Sequence, residues 1–168
     1  MDLVLFGIQG SGKGTLGKAL AENFNLEIFE TGAELRKLSK LDTELARKVK
    51  SIIEAGHLVP NTVVMDIIAN FMAQLPAGKN VLFDGIPRNI EQAETFDALL
   101  AKLNRNFIGL LLELNQEVAL QRLGTRRICL NCKTVYPAAY QKADCEKCGG
   151  TLGTRSDDNP ESIAVRIK

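Results

Sequence analysis

The 168-residue sequence has no tryptophan, one histidine, two tyrosines and seven phenylalanines. A surface that binds single-stranded nucleic acid stacks bases on aromatic rings set among basic side chains. Aromatic residues are only 5% of the chain and do not cluster with basic ones, which argues against that use. An excess of one charge is also missing. Twenty-one Lys+Arg stand against twenty Asp+Glu, so nothing global attracts a polyanion or an anionic membrane. No apolar run approaches the ~18–20 residues of a membrane span. The first one, Leu3 to Phe6, lies between Asp2 and Gly7 and has the wrong flanks for an export signal. The sole histidine, His57, reads as a surface or turn residue, and no general base stands out.

What is present is ordinary for a folded domain. Hydrophobic residues at 45% and charged residues at 24% exclude a disordered tail, a collagen and a coiled coil. The length suits one domain with inserts, able to build its core without disulfide staples. Strands are expected over Leu3–Phe6, Leu26–Phe29, Val81–Phe83 and Phe107–Leu114. Between them the periodicity predicts helices from Lys13 through Leu16, Leu20 and Phe24, from Thr31 to Leu38, from Leu45 to Ala55 and from Asn61 to Ala73. A further helix carries Ala93, Phe96, Leu99, Leu100 and Leu103. Asn61 and Asn115 read as helix caps, and Asn159-Pro160-Glu161 as the start of a last helix with Ile163 and Ile167 on one face. This alternation predicts an α/β fold, a parallel sheet between helical layers. Residues 31–59 and 125–155 depart from the alternation and read as inserts.

Gly7 and Gly12-Lys13 have the G-x-x-x-x-G-K spacing of a phosphate-binding loop, between a strand and a helix. In Gly10-Ser11-Gly12-Lys13-Gly14-Thr15 the glycines let backbone N–H groups converge on an anion. Lys13 can reach the terminal phosphates. Gly14 stands where a Ser or Thr usually ligates Mg²⁺, and Thr15 comes one residue later.

The four cysteines form two Cys-x-x-Cys pairs, Cys129/Cys132 and Cys145/Cys148, twelve residues apart. In a chain without an export signal such pairs hold a metal more readily than a disulfide. The spacing suits tetrahedral Zn²⁺ in a structural role, since four protein ligands leave no open position. Iron in the same geometry, disulfides and free thiols are the alternatives. Six basic and two acidic residues from Arg126 to Arg155 make the insert mildly positive.

These features together resemble the adenylate kinase family of nucleoside monophosphate kinases. The Gly12-Lys13-Gly14-Thr15 form of the loop is that family's own. Thr31-Gly32-Ala33-Glu34-Leu35-Arg36 is similar to its T-G-D-x-L-R, Gly56-His57-Leu58-Val59-Pro60 to its G-x-L-V-P, and Asp84-Gly85-Ile86-Pro87-Arg88 with Gln92 to its D-G-F-P-R-x-x-x-Q. Arg122, Arg126-Arg127, the cysteine pairs and Arg155-Ser156-Asp157-Asp158-Asn159 with Arg166 follow in the family's order.

The resemblance implies a P-loop fold of the nucleoside monophosphate kinase type. Its parts would be a core (1–30, 60–124 and 156–168), a helical AMP-binding insert (31–59) and a zinc-ribbon-like lid (125–155). It implies that Thr31, Gly32, Arg36, Val59, Gly85, Arg88 and Gln92 bind AMP. Gly10 to Thr15, Arg122 and Arg126 would bind ATP. Asp84 would organise Mg²⁺ through water, and Lys13, Arg88, Arg126, Arg155 and Arg166 would surround the transferred phosphate. Phosphoryl transfer suits this set, because it needs positioning and charge neutralisation, and a monophosphate acceptor needs no general base.

The expected activity is therefore reversible transfer from MgATP to AMP, giving two ADP, in a cytoplasmic monomer without nucleic acid or membrane partners. The two inserts are expected to close over the nucleotides and exclude water. Asn89 after Arg88, a pairing more common in UMP/CMP kinases, keeps open another monophosphate as acceptor. A catalytically impaired nucleotide-binding variant and a regulatory zinc-knuckle protein are the remaining readings. Departures from the family pattern are Gln9, Ala33, Ile86, Pro137 and a shorter stretch between the cysteine pairs. The family continues past Arg166 with a further strand and helix, so this chain is expected to show a four-stranded sheet with an exposed edge and a half-open adenine pocket.

Overall fold

A computed structural model describes residues 1–155 and 158–167, with side chains through Val165. Ser156, Asp157 and the side chain of Arg166 lie outside the described residues. In chain order the elements are β1 (Asp2–Phe6), α1 (Lys13–Phe24), β2 (Glu27–Glu30), α2 (Thr31–Leu38), α3 (Glu44–Glu54), α4 (Asn61–Ala73) and β3 (Val81–Asp84). They continue with α5 (Ile90–Lys102), β4 (Phe107–Leu111), α6 (Gln116–Thr125), β5 (Arg127–Cys129), β6 (Val135–Tyr136), β7 (Leu152–Gly153) and α7 (Pro160–Ile167).

Four strands form a parallel sheet in the order β2-β3-β1-β4. Parallel strands need crossovers, and helical crossovers cover both faces, which explains the apolar runs of β1 and β3. On one face Val4, Phe29, Val81 and Phe83 pack with Val64 and Ile68 of α4 and Phe96 and Leu100 of α5. A file of rings crosses this core, Phe71–Phe29–Phe83–Phe96–Phe107, with centroids 5.0, 5.9, 4.9 and 6.3 Å apart. On the other face α1 lies close to the sheet through Gly17, where a Cβ would stand 3.1 Å from Leu82 and 3.2 Å from Leu5. Beside the strand ends, Ala119 and Leu123 of α6 pack with Ile163 of α7, Ile8 and Leu114.

The amino-terminal edge is held by one ion pair. The Asp2 carboxylate, 1% exposed, accepts two hydrogen bonds from Arg105 (2.6 and 2.7 Å) and one from the Val81 N–H (2.8 Å). Arg105 also donates to the Lys79 carbonyl. β1, β3 and the approach to β4 are thereby tied together.

Four local expectations need correction. β4 ends at Leu111 rather than Leu114, because β1 stops at Phe6 and Gly7 turns away; the last bond is from the Leu112 N–H to the Phe6 carbonyl. β2 starts one residue late and takes in Glu30. Asn61 is the first residue of α4 and does not cap it; its side-chain amide donates to Glu91 and Thr95, and Pro60 occupies the cap position. In α1 the buried residues are Gly17 and Ala21, while Leu16 and Phe24 are exposed, since close approach to the sheet selects small side chains. Asn115 and Asn159 cap as expected, accepting from the N–H groups of Glu117 and Ser162. β4 is an outer strand with Phe107, Ile108 and Leu111 exposed.

Residues 127–153 hold a second, antiparallel sheet in the order β6-β5-β7, which the sequence pattern did not predict. Its strands are two or three residues long, too short for a periodicity to register. Among the described residues no helix is long and apolar enough to cross a membrane.

Candidate active site

The carboxyl ends of β1, β2 and β3 open into one cavity of about 1430 Å³. Parallel sheets bind ligands at this end, where loops and helix N-termini converge. The glycine loop leaves β1 at Gly7, which has φ +139 and no room for a side chain: a Cβ would lie 2.5 Å from the Leu112 carbonyl oxygen. α1 then starts at Lys13 with its N-terminus facing the cavity, and Gly10, Gly12, Lys13, Gly14 and Thr15 line the wall. Ser11 is absent from the lining; its hydroxyl is buried without a hydrogen-bond partner. Lys13 Nζ donates to the carbonyls of Gly7 (2.7 Å) and Ile8 (3.0 Å), which folds the ammonium into its own loop. Burial pushes its pKa down, Asp84 opposes that, and Arg88 and Arg126 add to it.

Asp84 ends β3 and faces Lys13. Burial raises its carboxyl above the ordinary range; Lys13 pulls it down, Glu30 adds to the rise, and Arg88 and Arg155 pull it down further. Gly85 follows with φ +87, and a Cβ there would meet Arg88 Nη2 at 3.0 Å. Arg88 Nε donates to the Gly85 carbonyl (2.8 Å) and the Arg88 N–H to Gln92 Oε1 (2.9 Å). Asn89 Oδ1 accepts from the Gln92 N–H at 2.8 Å, so Asn89 caps α5, and it does not line the cavity.

On the other side of Gly85 lie the first residues of α2. The Thr31 hydroxyl is buried in the cavity wall with no hydrogen-bond partner, an orphan that a bound ligand can satisfy. Gly32, Arg36 and Val59 share this wall, and Arg36 Nη2 lies 3.0 Å from Glu30 Oε1.

Arg122, Arg126 and Arg155 also line the cavity. Arg122 approaches the Gly10 carbonyl at 3.4 Å. Arg126 forms a bidentate pair with Asp158 at 2.6 and 2.7 Å, both side chains largely buried. The cavity thus brings together every expected nucleotide-site residue except Ser11, which lies just behind it, and Arg166, whose side chain is outside the described residues.

The sequence pattern missed Glu30, His57, Lys133 and Lys147, which also line the cavity, and Asp158 as the partner of Arg126. Only strand pairing would have exposed Glu30, because its register partner is Asp84.

In the four-cysteine insert the sulfurs of Cys129, Cys132, Cys145 and Cys148 lie within 4.8 Å of one another. Cys129–Cys148 and Cys132–Cys145 are 3.5 Å apart. A tetrahedron with Zn–S of about 2.3 Å has S···S edges near 3.8 Å, so the cluster fits a structural zinc. A hydrogen bond with Thr134 is the main cause that lowers the Cys132 thiol, while at Cys148 a backbone bond with Gly150 is outweighed by the neighbouring thiols, which push it up, so the sulfurs titrate as one cluster. The Cys129 N–H bond to the Thr134 carbonyl and the Cys145 N–H bond to the Gly150 carbonyl fold both knuckles, and Tyr136 Oη lies 3.0 Å from Cys145 Sγ.

A parallel sheet, a glycine loop opening its first crossover helix and a cavity walled by arginines define a phosphate-loop protein that handles nucleotides. Comparison with known proteins narrows the class. The family described as "Adenylate kinase" matches residues 5–168. The chain is 37% identical over 172 residues to an adenylate kinase of Staphylococcus aureus strain Mu50, covering 99% of this chain and 80% of that protein. It is 35% identical to one from Geobacillus sp. strain WCH70 and 37% identical to one from Bacillus cytotoxicus, in each case over 100% of this chain and 80% of the relative. The chain belongs to the adenylate kinase family.

Proposed function

We propose that this chain transfers the terminal phosphoryl group of MgATP to AMP, reversibly, giving two ADP. The observation that carries this reading is the single cavity, whose lining takes in both the phosphate loop and Thr31, Arg36, Arg88 and Gln92. Its volume exceeds the ~300–1,000 Å³ usual for one small-molecule site, as two nucleotides placed end to end require.

The loop N–H groups and Lys13 hold the donor phosphates, and Arg122 lies along the donor base. Thr31, Gly32, Arg36, Val59, Gly85, Arg88 and Gln92 receive AMP. The orphaned Thr31 hydroxyl supports an acceptor there. The AMP phosphate is the nucleophile and is already anionic, so the protein's work is to align it and to neutralise the charge that spreads over the transferred group. Arg88, Arg126, Arg155 and Arg166 supply that charge, with guanidinium forks that match phosphate oxygens. Mg²⁺ accompanies ATP and neutralises its phosphates. Asp84 is the residue to face it through water: it sits beside the loop, and a Cβ on Gly14 would lie 3.8 Å from its Oδ2.

The division of labour follows the chain. Residues 1–30, 60–124 and 156–168 form the core, 31–59 close over AMP, and 125–155 close over ATP as the zinc-stapled lid. Asn89 caps α5 and does not line the cavity, so it offers no contact that would select another monophosphate. The protein acts as a monomer in the cytoplasm.

A mimic joining two adenosines through a phosphate chain tests the shared cavity. It should bind one per chain, be displaced by either ATP or AMP, and compact the protein in solution scattering. Binding no tighter than ATP alone, with no AMP competition, would contradict the reading.

A further inference from the structure

The carboxyl end of β2 carries a charge that the glycine loop and the arginines leave unexplained. Glu30 and Asp84 are register partners on adjacent parallel strands, so their side chains leave the same face, and both line the cavity. Each has a cation beside it. Glu30 Oε1 lies 3.0 Å from Arg36 Nη2, and Lys13 acts on Asp84 from the donor side. Four charges therefore follow one another along the strand ends, Arg36, Glu30, Asp84, Lys13: two neighbouring carboxylates with a cation at either end.

Glu30 occupies the N-cap position of α2, yet its side chain makes no capping bond. It reaches Arg36 instead, whose guanidinium packs over the Gly32 backbone: a Cβ there would meet Nη1 at 3.0 Å. Position 33 of the same segment, acidic in the resembling T-G-D-x-L-R motif, is Ala33. Glu34 of this segment pairs with Lys37, so the carboxylate that meets Arg36 stands at the segment's entrance, in Glu30.

We infer that Glu30 is a positioning residue of the acceptor site, holding the Arg36 guanidinium against the cavity wall in the orientation that receives the AMP phosphate. This rests on the reading of Arg36 as a phosphate ligand. A guanidinium has five donors in a rigid fork and can serve a carboxylate and a phosphate together. The pair is about one-third exposed on each side, so its contribution is modest and reaches the reaction through Arg36 alone.

The test is a double-mutant cycle of Glu30→Gln and Arg36→Gln, measuring KM for AMP, KM for ATP and kcat. Glu30→Gln should raise KM for AMP about fivefold, the upper range for a partly exposed ion pair. The KM for ATP and kcat should stay within about twofold of the parent. In the Arg36→Gln background the same change should do nothing further. Glu30→Ser, which removes the charge and the stem, should give the same sign. An unchanged KM for AMP would overturn the inference, and so would a lowered one, which would mean that Glu30 competes with the phosphate. An equal rise with or without Arg36 would overturn it too. Arg36→Gln failing to raise KM for AMP would sink the acceptor-site reading itself, a separate outcome.

Discussion

Stripping the metal from the four-cysteine insert should unfold that insert and leave the sheet core standing. Its buried apolar content is small: Ile128 and Tyr136 are its large buried side chains, beside Cys129 and Cys145. Burying two such groups contributes about 3–6 kcal/mol. That offsets the cost of ordering only about three residues at ~1–2 kcal/mol each, and β5 to β7 spans Arg127–Gly153. Structural zinc in small domains contributes about 10–16 kcal/mol, a dissociation constant from tens of nanomolar to about picomolar. The readout is unusually clean. The chain has no tryptophan, and its only tyrosines, Tyr136 and Tyr140, stack in the insert with centroids 4.2 Å apart. Near-ultraviolet ellipticity from tyrosine therefore reports on the insert and far-ultraviolet ellipticity on the helices of the core. A strong chelator, with metal content verified, should abolish the first and largely spare the second. Turnover should fall about 100-fold as Arg126 and Arg155, which flank the insert, lose their placement. Verified metal-free protein that keeps its tyrosine ellipticity and its turnover would refute the reasoning.

Three further outcomes follow from particular contacts. Arg105→Met strands the buried Asp2 carboxylate and should destabilise the protein by about 3 kcal/mol, lowering Tm by ~6–12 °C in a melt; adding Asp2→Asn should recover most of this, because the amide oxygen still accepts from Val81. Asp84 is a carboxyl raised by burial, so the stability it contributes is complete below the ordinary carboxyl pKa and is lost as pH rises through the folded value. Asp84→Asn should therefore melt higher than the parent at pH 7 without nucleotide, with the difference closing towards pH 4, while turnover falls about 100-fold. Gly7→Ala places a Cβ 2.5 Å from the Leu112 carbonyl, and a denaturant titration should show a loss of at least about 2 kcal/mol.

Much of the fold was legible because apolar runs mark buried parallel strands and Asn115 and Asn159 mark helix starts. What escaped was set by tertiary approach. The packing face of α1 is Gly17 and Ala21 because the helix lies close on Leu5 and Leu82, which no hydrophobic stripe announces. The candidate site was readable where one local motif carries it, as at Gly7–Thr15 and Asp84–Gln92. It was not readable where two distant segments meet. Arg126 with Asp158, Asp2 with Arg105 and Glu30 beside Asp84 each depend on chain pairing that composition and spacing do not encode. The second sheet was missed because its strands are too short to show alternation.

The most direct test of the central claim is diphosphate formation by the metal-loaded chain with Mg²⁺ and ATP, offered AMP, GMP, CMP and UMP in turn. The account predicts ADP from AMP, in a two-to-one ratio to ATP consumed, with the other acceptors far behind. Preferred turnover of another monophosphate, or no product from folded protein with any of the four, would contradict it.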